Sequence, residues 1–252
     1  MASNPPAQCC TVGVKHEGQP TGSFITIAGT INAYVAEPKG NAHKDAAIIY
    51  LPDVIGIWQN SQLMVDQFAA NGYYTIIPDI LNGDPMALNR PKDFDVMQWL
   101  NKGSDGNNPH THTYIDPIVE KTIEHLKSKA YAKIGAVGYC FGAKYVARHL
   151  AEGKGIDVGY VAHPSFVEEH EIRAIKGPLS IAAAETDDIF PAEKRHQTEE
   201  ILKEINATYQ INLYGGTSHG FSIRGDVSKR VQKFAKEQAF VQAVTWFDHY
   251  LL

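Results

Sequence analysis

The chain has 252 residues, of which 44% are hydrophobic and 20% charged, and its formal net charge is −5. This length can bury a substantial core, and the charge balance offers no basic field that would recruit nucleic acid or an anionic membrane. No apolar run approaches the length of a membrane span, and the first six residues lack the features of a secretory signal. Three cysteines, with Cys9 and Cys10 adjacent, cannot form a disulfide framework, so we expect a reducing, cytoplasmic location.

The first third of the chain contains strand patterns of two kinds. Two alternating segments around a glycine-containing turn predict an antiparallel pair, and two continuous apolar runs predict parallel strands that are covered on both faces. A helical pattern that ends at Asn71-Gly72 separates the two apolar runs. In chain order, the predicted elements are a loose leader (1–10), strands at 24–27, 31–36 and 46–51, a helix at about 60–70, and a strand at 73–77.

The remaining two thirds alternate helices with strands, which predicts an α/β fold with a mostly parallel central sheet and helices on both faces. We expect one domain over residues 1–252. A polar segment, 101–112, is a candidate lid or rim loop. The predicted elements are helices at 94–100, 114–129, 143–152, 192–205 and 227–252, and strands at 133–137, 156–162, 179–183 and 208–213.

The C-terminal helix carries several large aromatic side chains, which are most simply explained by packing against the core. They are Phe234, Phe240, Trp246 and Phe247. The same helix could serve a homodimer, and the sequence leaves that open.

The pentapeptide Gly138-Tyr139-Cys140-Phe141-Gly142 joins a predicted strand to a predicted helix. Side chains at the two glycine positions would collide with the neighbouring strand and helix, which gives this spacing a steric reason. The turn places the sulfur at a helix N-terminus, where N–H groups and the helix dipole favour a thiolate and later an oxyanion. This is the pattern of an α/β-hydrolase nucleophile elbow with cysteine instead of serine. A buried cysteine at a tight turn would give the same five residues, so the pentapeptide alone leaves both interpretations open.

Polar residues also follow the other predicted strands, where parallel sheets bind their ligands. They are Asp53, Asp79, His163, Asp187 or Asp188, and His219. Asp79 is expected only to hold a turn. The chain order of cysteine, acid and histidine is that of α/β-hydrolases. His219 lies between glycines after the last strand and can act as general base, while Asp187 and Asp188 both remain candidates for its carboxylate partner, the other being a helix cap.

Three motifs together resemble those of the dienelactone hydrolase family, in a branch that looks fungal. Residues 138–142 match its cysteine elbow, residues 187–191 its acid motif, and residues 218–221 its histidine loop. The resemblance extends over nearly the whole chain and selects Asp187 over Asp188. It implies an α/β-hydrolase fold with Cys140, Asp187 and His219 as the catalytic triad.

The resemblance also implies further roles. Asp53 stands where the family usually has a glutamate that helps control ionisation of the cysteine, and the N–H groups of Val54 and Phe141 fall at the oxyanion hole. Arg224 could hold a substrate carboxylate. At the position of the family's second arginine the chain has Asn82, and this departure puts the bacterial substrate, a carboxymethylene butenolide, in doubt.

The implied reaction is acyl transfer, with a small-molecule lactone or ester as the partner and without a cofactor. A thiolate forms a thioester readily only when the leaving alkoxide is stabilised, as in an enol lactone or an anhydride-like carbonyl. We therefore expect hydrolysis of an enol lactone or a similarly activated cyclic ester, in fungal aromatic or polyketide secondary metabolism. One alternative is a general carboxylesterase or thioesterase. Another is a non-catalytic or redox-sensing protein, whose resolving cysteine would have to be Cys9 or Cys10, both far away in sequence.

Other polar or aromatic residues have weaker claims. His110 and His112 with Asp105 offer metal-ligand types, but no fourth ligand is placed, so we expect a solvated rim loop and no metal. Trp58 and His163 could line the substrate pocket. For each of them, a packed indole or a turn at a strand end explains the residue equally well.

Overall fold

The computed structural model describes residues 2–252, and its centre is one eight-stranded sheet. The sheet order is β1-β2-β4-β3-β5-β6-β7-β8. Strand β2 pairs antiparallel with β1 and β4, and all the other pairs are parallel, which confirms the predicted mostly parallel sheet. The strands are β1 (Ser23–Ile27), β2 (Ile31–Ala36), β3 (Ala46–Leu51), β4 (Tyr74–Pro78), β5 (Lys133–Tyr139), β6 (Val158–Ala162), β7 (Leu179–Thr186) and β8 (Tyr209–Ser218).

Helices cover both faces of this sheet, as expected from the alternating pattern. A short 3-10 helix, Gln8–Thr11, precedes them. The α-helices are α1 (Gln59–Ala70), α2 (Val96–Lys102), α3 (His112–Ser128), α4 (Gly142–His149), α5 (Glu169–Ala174), α6 (Ala192–Glu204), α7 (Phe221–Arg224) and α8 (Arg230–Tyr250). Helices α1 and α8 contribute to the hydrophobic cluster on one face, and α3 to α6 to the cluster on the other.

Strand β3 shows why the continuous apolar runs become central strands. All six of its residues are buried. Ile48 and Tyr50 belong to one hydrophobic cluster, whereas Ile49 and Leu51 belong to the other, so successive side chains enter opposite layers. Each such side chain stabilises the fold by about 1.5–3 kcal/mol relative to an exposed one.

The N-terminal segment is docked onto the body of the protein, so the prediction of a loose leader is wrong for residues 2–10. The backbone N–H groups of Ser3 and Asn4 donate to the carbonyls of Val167 and Ile189, and Cys10 is fully buried. Contacts with residues distant in sequence hold the segment in place, and it has no hydrophobic period from which this docking could have been predicted. It lies over the carboxyl ends of the central strands.

Near the carboxyl ends of the strands, several element boundaries differ from the sequence prediction. Helices α5 and α7 were not predicted, since each spans only one or two turns, and α4 ends at His149. Strand β8 continues through Gly215 and Gly216 to Ser218, where it pairs with Thr186 of β7 beyond a register shift. His219 therefore directly follows a strand instead of lying in a long loop.

The polar segment before α3 is anchored through His110, whose side chain is buried. Its Nε2 lies 2.8 Å from an Asp84 carboxylate oxygen, and its ring packs 4.1 Å from that of Trp99. The expectation of a solvated rim loop is therefore wrong for His110, whereas Asp105 is exposed. His112 is the first residue of α3.

Helix α8 packs with one side only. Trp246 and Phe247 are buried in the core and Phe240 is half-buried, but Phe234 is 61% exposed. The expectation of core packing thus holds for three of the four aromatic residues. Within residues 2–252, no helix combines the length and the apolarity needed to cross a membrane.

Candidate active site

The turn between β5 and α4 has the strained backbone expected of a nucleophile elbow. Cys140 adopts φ = 51°, in the left-handed region that non-glycine residues rarely occupy. A Cβ atom at Gly138 would lie 2.7 Å from the Ala143 Cα atom of α4, and one at Gly142 would collide with the Leu51 carbonyl of β3. Glycine is therefore required at position 138 because α4 lies against it, and at position 142 because β3 does.

His219 lies between the cysteine and the predicted carboxylate. Its Nε2 is 3.1 Å from Cys140 Sγ, and its Nδ1 is 3.0 and 2.9 Å from the two carboxylate oxygens of Asp187. Because Nδ1–H can donate to the carboxylate, Nε2 is left with its lone pair facing the thiol. This arrangement allows proton transfer between sulfur and imidazole.

Backbone donors fix the carboxylate of Asp187. The N–H groups of Ile189 and Phe190 donate to its Oδ1 at 2.8 and 3.0 Å. Burial alone would raise the pKa of Asp187, but the hydrogen bonds from His219 and these two amides outweigh it and lower the pKa. Asp187 is therefore an ionised partner for the imidazole at neutral pH.

Asp188, the other candidate acid, is exposed and, within residues 2–252, has no hydrogen bond to His219. Within residues 2–252, its side chain makes no hydrogen bond, although its backbone carbonyl accepts one from Asn4 Nδ2. The N-cap of α6 is Pro191, without a side-chain cap. The expectation that the second aspartate caps this helix is therefore wrong.

Cys10 is the residue of the cluster that the sequence analysis missed. Its Sγ lies 3.5 Å from His219 Nε2, and the Sγ atoms of Cys10 and Cys140 and the Nε2 of His219 all lie within 4.8 Å of one another. Separation in sequence was thus no guide to separation in space. Only the adjacent cysteines drew attention to this segment, and no pattern in the sequence indicated where it docks.

Electrostatics in this cluster stabilise the imidazolium that forms when His219 accepts a proton. Burial acts to lower the pKa of His219, but Cys10 and Asp187, when both are negatively charged, outweigh burial and raise the pKa to about 10. Burial in turn raises the pKa of the Cys10 thiol, so Cys10 is neutral at neutral pH. Asp187 is consequently the lasting negative partner of His219.

His163 is packed behind His219 and contacts no solvent. The two rings lie 5.0 Å apart edge to face, and His163 Nε2 is 2.8 Å from Ser222 Oγ. Burial lowers the pKa of His163 well below its usual value, so its imidazole is neutral. The structure thus places this residue at a buried turn, where it supports the orientation of His219.

Asp53 and Arg224 form a buried ion pair next to the elbow. Arg224 Nη1 donates to Asp53 Oδ2, and the N–H of Ile55 donates to Asp53 Oδ1 at 3.0 Å. Burial raises the pKa of Asp53, and the positive charge of Arg224 opposes that rise. The guanidinium also donates to the carbonyls of Val12 and Cys9, so its donors are engaged within the protein.

Two backbone donors are available on either side of the elbow. Val54 directly follows Asp53 after β3, and Phe141 directly follows Cys140 before α4. Among residues 2–252, neither N–H has a hydrogen-bond acceptor, whereas the Val54 carbonyl accepts from Met86. These N–H groups can serve a developing oxyanion.

Comparison with known proteins identifies the family. The family model described as "Dienelactone hydrolase family" matches residues 31–251. The chain belongs to this family. It is similar to a Talaromyces stipitatus protein named "Hydrolase tropI", with 48% identity over 100% of this chain and 99% of the relative, and to the Aspergillus violaceofuscus "Hydrolase pyvD", with 44% identity over 100% and 99%. "Dienlactone hydrolase 1" of Gibberella moniliformis is 32% identical, with 100% and 96% covered.

Solved structures agree on the fold. An esterase from Thermogutta terrifontis matches with a TM-score of 0.64 at 14% identity, covering 92% of this chain and 96% of that one. A dienelactone hydrolase-like phosphotriesterase from metagenomic libraries matches with a TM-score of 0.66 at 12% identity, covering 92% and 98%. The chain has the α/β-hydrolase fold and is an ester-hydrolysing enzyme.

A cavity of about 440 Å³ reaches His219, but Cys140 is not among its lining residues. Its wall includes Gly220, Arg224 and Asp188. The Cys140 side chain is fully buried, with Cys10 next to it. The Cys140 sulfur is therefore covered in this structure, and Cys10 of the N-terminal segment is one of the groups beside it.

Two predicted binding residues lie apart from this cavity. Asn82 lines a separate cavity of about 380 Å³ together with Asp79 and His110, and its amide donates to Asn108 Oδ1. Trp58 is the N-cap residue of α1 and packs, half-buried, against the hydrophobic clusters on both faces. Neither residue is among those that line the cavity at His219.

Proposed function

We propose that this enzyme hydrolyses an enol lactone, or a similarly activated cyclic ester or anhydride, with Cys140 as nucleophile, His219 as general base and acid, and Asp187 as the group that orients His219. The observation that carries the proposal is the continuous contact from Cys140 Sγ to His219 Nε2 and from His219 Nδ1 to Asp187. A nucleophile, a base and an orienting carboxylate in this order are sufficient for acyl transfer.

In the first half-reaction, His219 Nε2 takes the thiol proton and Cys140 Sγ attacks the carbonyl carbon. The carbonyl oxygen becomes an oxyanion, which the N–H groups of Val54 and Phe141 stabilise by hydrogen bonding. When the tetrahedral intermediate collapses, the ring C–O bond breaks and the enolate oxygen takes the proton from the imidazolium, which gives an enol that can tautomerise to the ketone and returns His219 to its neutral form. The product is a thioester on Cys140.

In the second half-reaction, His219 Nε2 takes a proton from water as the oxygen attacks the thioester carbonyl. Collapse of the second tetrahedral intermediate breaks the C–S bond and releases the carboxylic acid, and the departing Cys140 sulfur takes the proton back from the imidazolium. Asp187 stabilises the imidazolium in both halves through the Nδ1 hydrogen bond.

The choice of substrate follows from leaving-group chemistry. A thiolate is a much better leaving group than an alkoxide, so a tetrahedral intermediate with a plain alkyl ester collapses back to the starting ester. An enolate or a carboxylate leaves more easily, which drives the intermediate forward. Full-length similarity to hydrolases of three fungi supports a setting in fungal aromatic or polyketide secondary metabolism. A reducing cytoplasm suits the catalytic thiol.

The substrate class is tested by comparing kcat/KM for an enol lactone, a saturated lactone, an aryl ester and an acyl thioester under the same conditions. We expect the enol lactone to exceed the saturated lactone by at least about 100-fold, equivalent to about 2.7 kcal/mol of transition-state stabilisation. Comparable rates on all oxygen esters would indicate a general carboxylesterase, and preference for the thioester a thioesterase. Full activity of a Cys140→Ala variant would contradict the mechanism.

A further inference from the structure

Cys10 has no part in the proposed acyl-transfer mechanism. It is nevertheless fully buried beside Cys140 and His219, the nucleophile and the base of that mechanism. Two sulfur atoms and one imidazole nitrogen converge there, all within 4.8 Å of one another. Thiolate sulfur and imidazole nitrogen are the ligands that zinc prefers in proteins. We propose that Cys10, Cys140 and His219 form a binding site for Zn²⁺ that reversibly switches off the enzyme.

The distances fit tetrahedral coordination with little movement. With Zn–S near 2.3 Å and Zn–N near 2.0–2.1 Å, ligand atoms at tetrahedral angles are separated by about 3.6–3.8 Å. His219 Nε2 lies 3.5 Å from Cys10 Sγ and 3.1 Å from Cys140 Sγ. A shift of roughly half an ångström between Cys140 Sγ and His219 Nε2 brings that pair to the tetrahedral separation, and the two sulfur atoms lie within 4.8 Å of each other.

The surroundings orient the ligands for a metal. Asp187 accepts the Nδ1 proton of His219, which leaves the Nε2 lone pair free and is the usual support of a zinc-bound histidine. The backbone N–H of Ala7 donates to Cys10 Sγ at 3.4 Å, a contact that favours the thiolate form. Cys140 is fixed by the strained elbow, so all three ligands have supported positions.

Binding exchanges protons for the metal. Zn²⁺ enters as the two thiols lose their protons to solvent, two Zn–S bonds and one Zn–N bond form, and no oxidant is needed. Three protein ligands leave a fourth position for water. Because the sulfur and the imidazole nitrogen needed for acyl transfer are then bound to metal, the enzyme is inactive until zinc is removed. This last consequence rests on the proposed function, whereas binding itself does not.

A second cluster of ligand types is a poorer site and supplies a control. Glu168, His170 and Glu171 lie together at α5, but His170 is exposed. Lys144 and Arg148 already pair with Glu171. Zinc bound there would be lost on replacing His170 and kept on replacing Cys10.

The experiment measures equilibrium Zn²⁺ affinity of the full chain by competition with a chromophoric chelator, with a phosphine reductant that keeps the thiols reduced. We expect one tight site per chain. Cys10→Ser should weaken the Zn²⁺ affinity by at least about tenfold, because losing a metal ligand costs at least as much affinity as losing a residue that hydrogen-bonds to a ligand. Cys9→Ser, which changes the neighbouring thiol, and His170→Ala should leave the affinity within about threefold.

Cobalt substitution gives a readout that does not depend on hydrolase activity. Co²⁺ in the wild-type site should show tetrahedral visible bands and a charge-transfer band with the intensity of two thiolates, falling to about one in Cys10→Ser. The proposal is overturned if wild type and Cys10→Ser bind zinc equally, or if no thiolate band appears. A tight two-thiolate site in a protein without hydrolase activity would instead refute only the proposed function.

Discussion

Asp187 offers the sharpest test of how the active site is organised. In an Asp187→Asn variant the side-chain carbonyl should remain at the Oδ1 position, because the N–H groups of Ile189 and Phe190 both donate there. The amide NH₂ then takes the Oδ2 position, 2.9 Å from His219 Nδ1 in the native protein. A donor at that point favours the tautomer with its proton on Nε2, which cannot accept the Cys140 proton.

The expected loss of kcat has two causes: His219 no longer favours the tautomer with its proton on Nδ1, and the carboxylate charge that stabilises the imidazolium is absent. Replacing a triad aspartate by asparagine lowers kcat by up to about 10⁴-fold in serine proteases. A thiol needs less help than a hydroxyl, so we expect a loss of about 10²–10⁴-fold in kcat, or roughly 3–5 kcal/mol.

Initial rates on the best substrate of the panel measure this effect, with thermal melting as the check on folding. Asp188→Asn is the matched control, because Asp188 is adjacent, exposed and outside the cluster, and it should keep kcat within about twofold. The reasoning is refuted if Asp187→Asn retains more than about a tenth of the activity, or if Asp188→Asn loses as much.

Two further predictions concern stability. Gly142→Ala places a Cβ against the backbone carbonyl at the end of β3 and should lower the free energy of unfolding by at least about 3 kcal/mol. Gly215→Ala, with open space around its Cβ position, should change the free energy of unfolding by less than about 1 kcal/mol. Equal values for the two variants in urea titrations would contradict the steric account. Burial alone would raise the pKa of Asp116, but hydrogen bonds from His149 and Arg148 lower it. Its contribution, about 1–3 kcal/mol, is therefore present above the unfolded-state pKa of about 3.9 and disappears as pH falls through the lower folded-state value. Asp116→Asn should accordingly be less stable than wild type at neutral pH, with a gap that narrows in acid; a gap independent of pH would show that the ion pair is not its source.

Local signals explain what could be predicted from the sequence. The apolar runs of β3 and β5 and the glycine-flanked Cys140 each carry their structural reason within a few residues. His219 and Asp187 follow strands whose order in the sheet is a property of the fold. Their meeting point could therefore be inferred, and the resemblance to the family selected Asp187 from the two adjacent acids.

Long-range contacts explain what could not be predicted. The segment around Cys10 is held by hydrogen bonds from Ser3 and Asn4 to residues more than 160 positions away. No pattern in the sequence of the segment predicts these hydrogen bonds. The end of β8 was placed too early because Gly215 and Gly216 are typical of a turn, yet they lie at an irregularity within the strand, and pairing with β7 resumes beyond them at Ser218. The engagement of Arg224 by Asp53 likewise depends on tertiary packing.

The central claim is that Cys140 forms the acyl-enzyme. The most direct measurement is to mix the enzyme with an enol lactone, quench in acid within the turnover time, digest it and locate the acyl group by mass spectrometry. The account predicts a thioester on the peptide that contains Cys140 and none on the peptide that contains Cys9 and Cys10. An acyl group on Cys10, or undiminished turnover by Cys140→Ala, would contradict it.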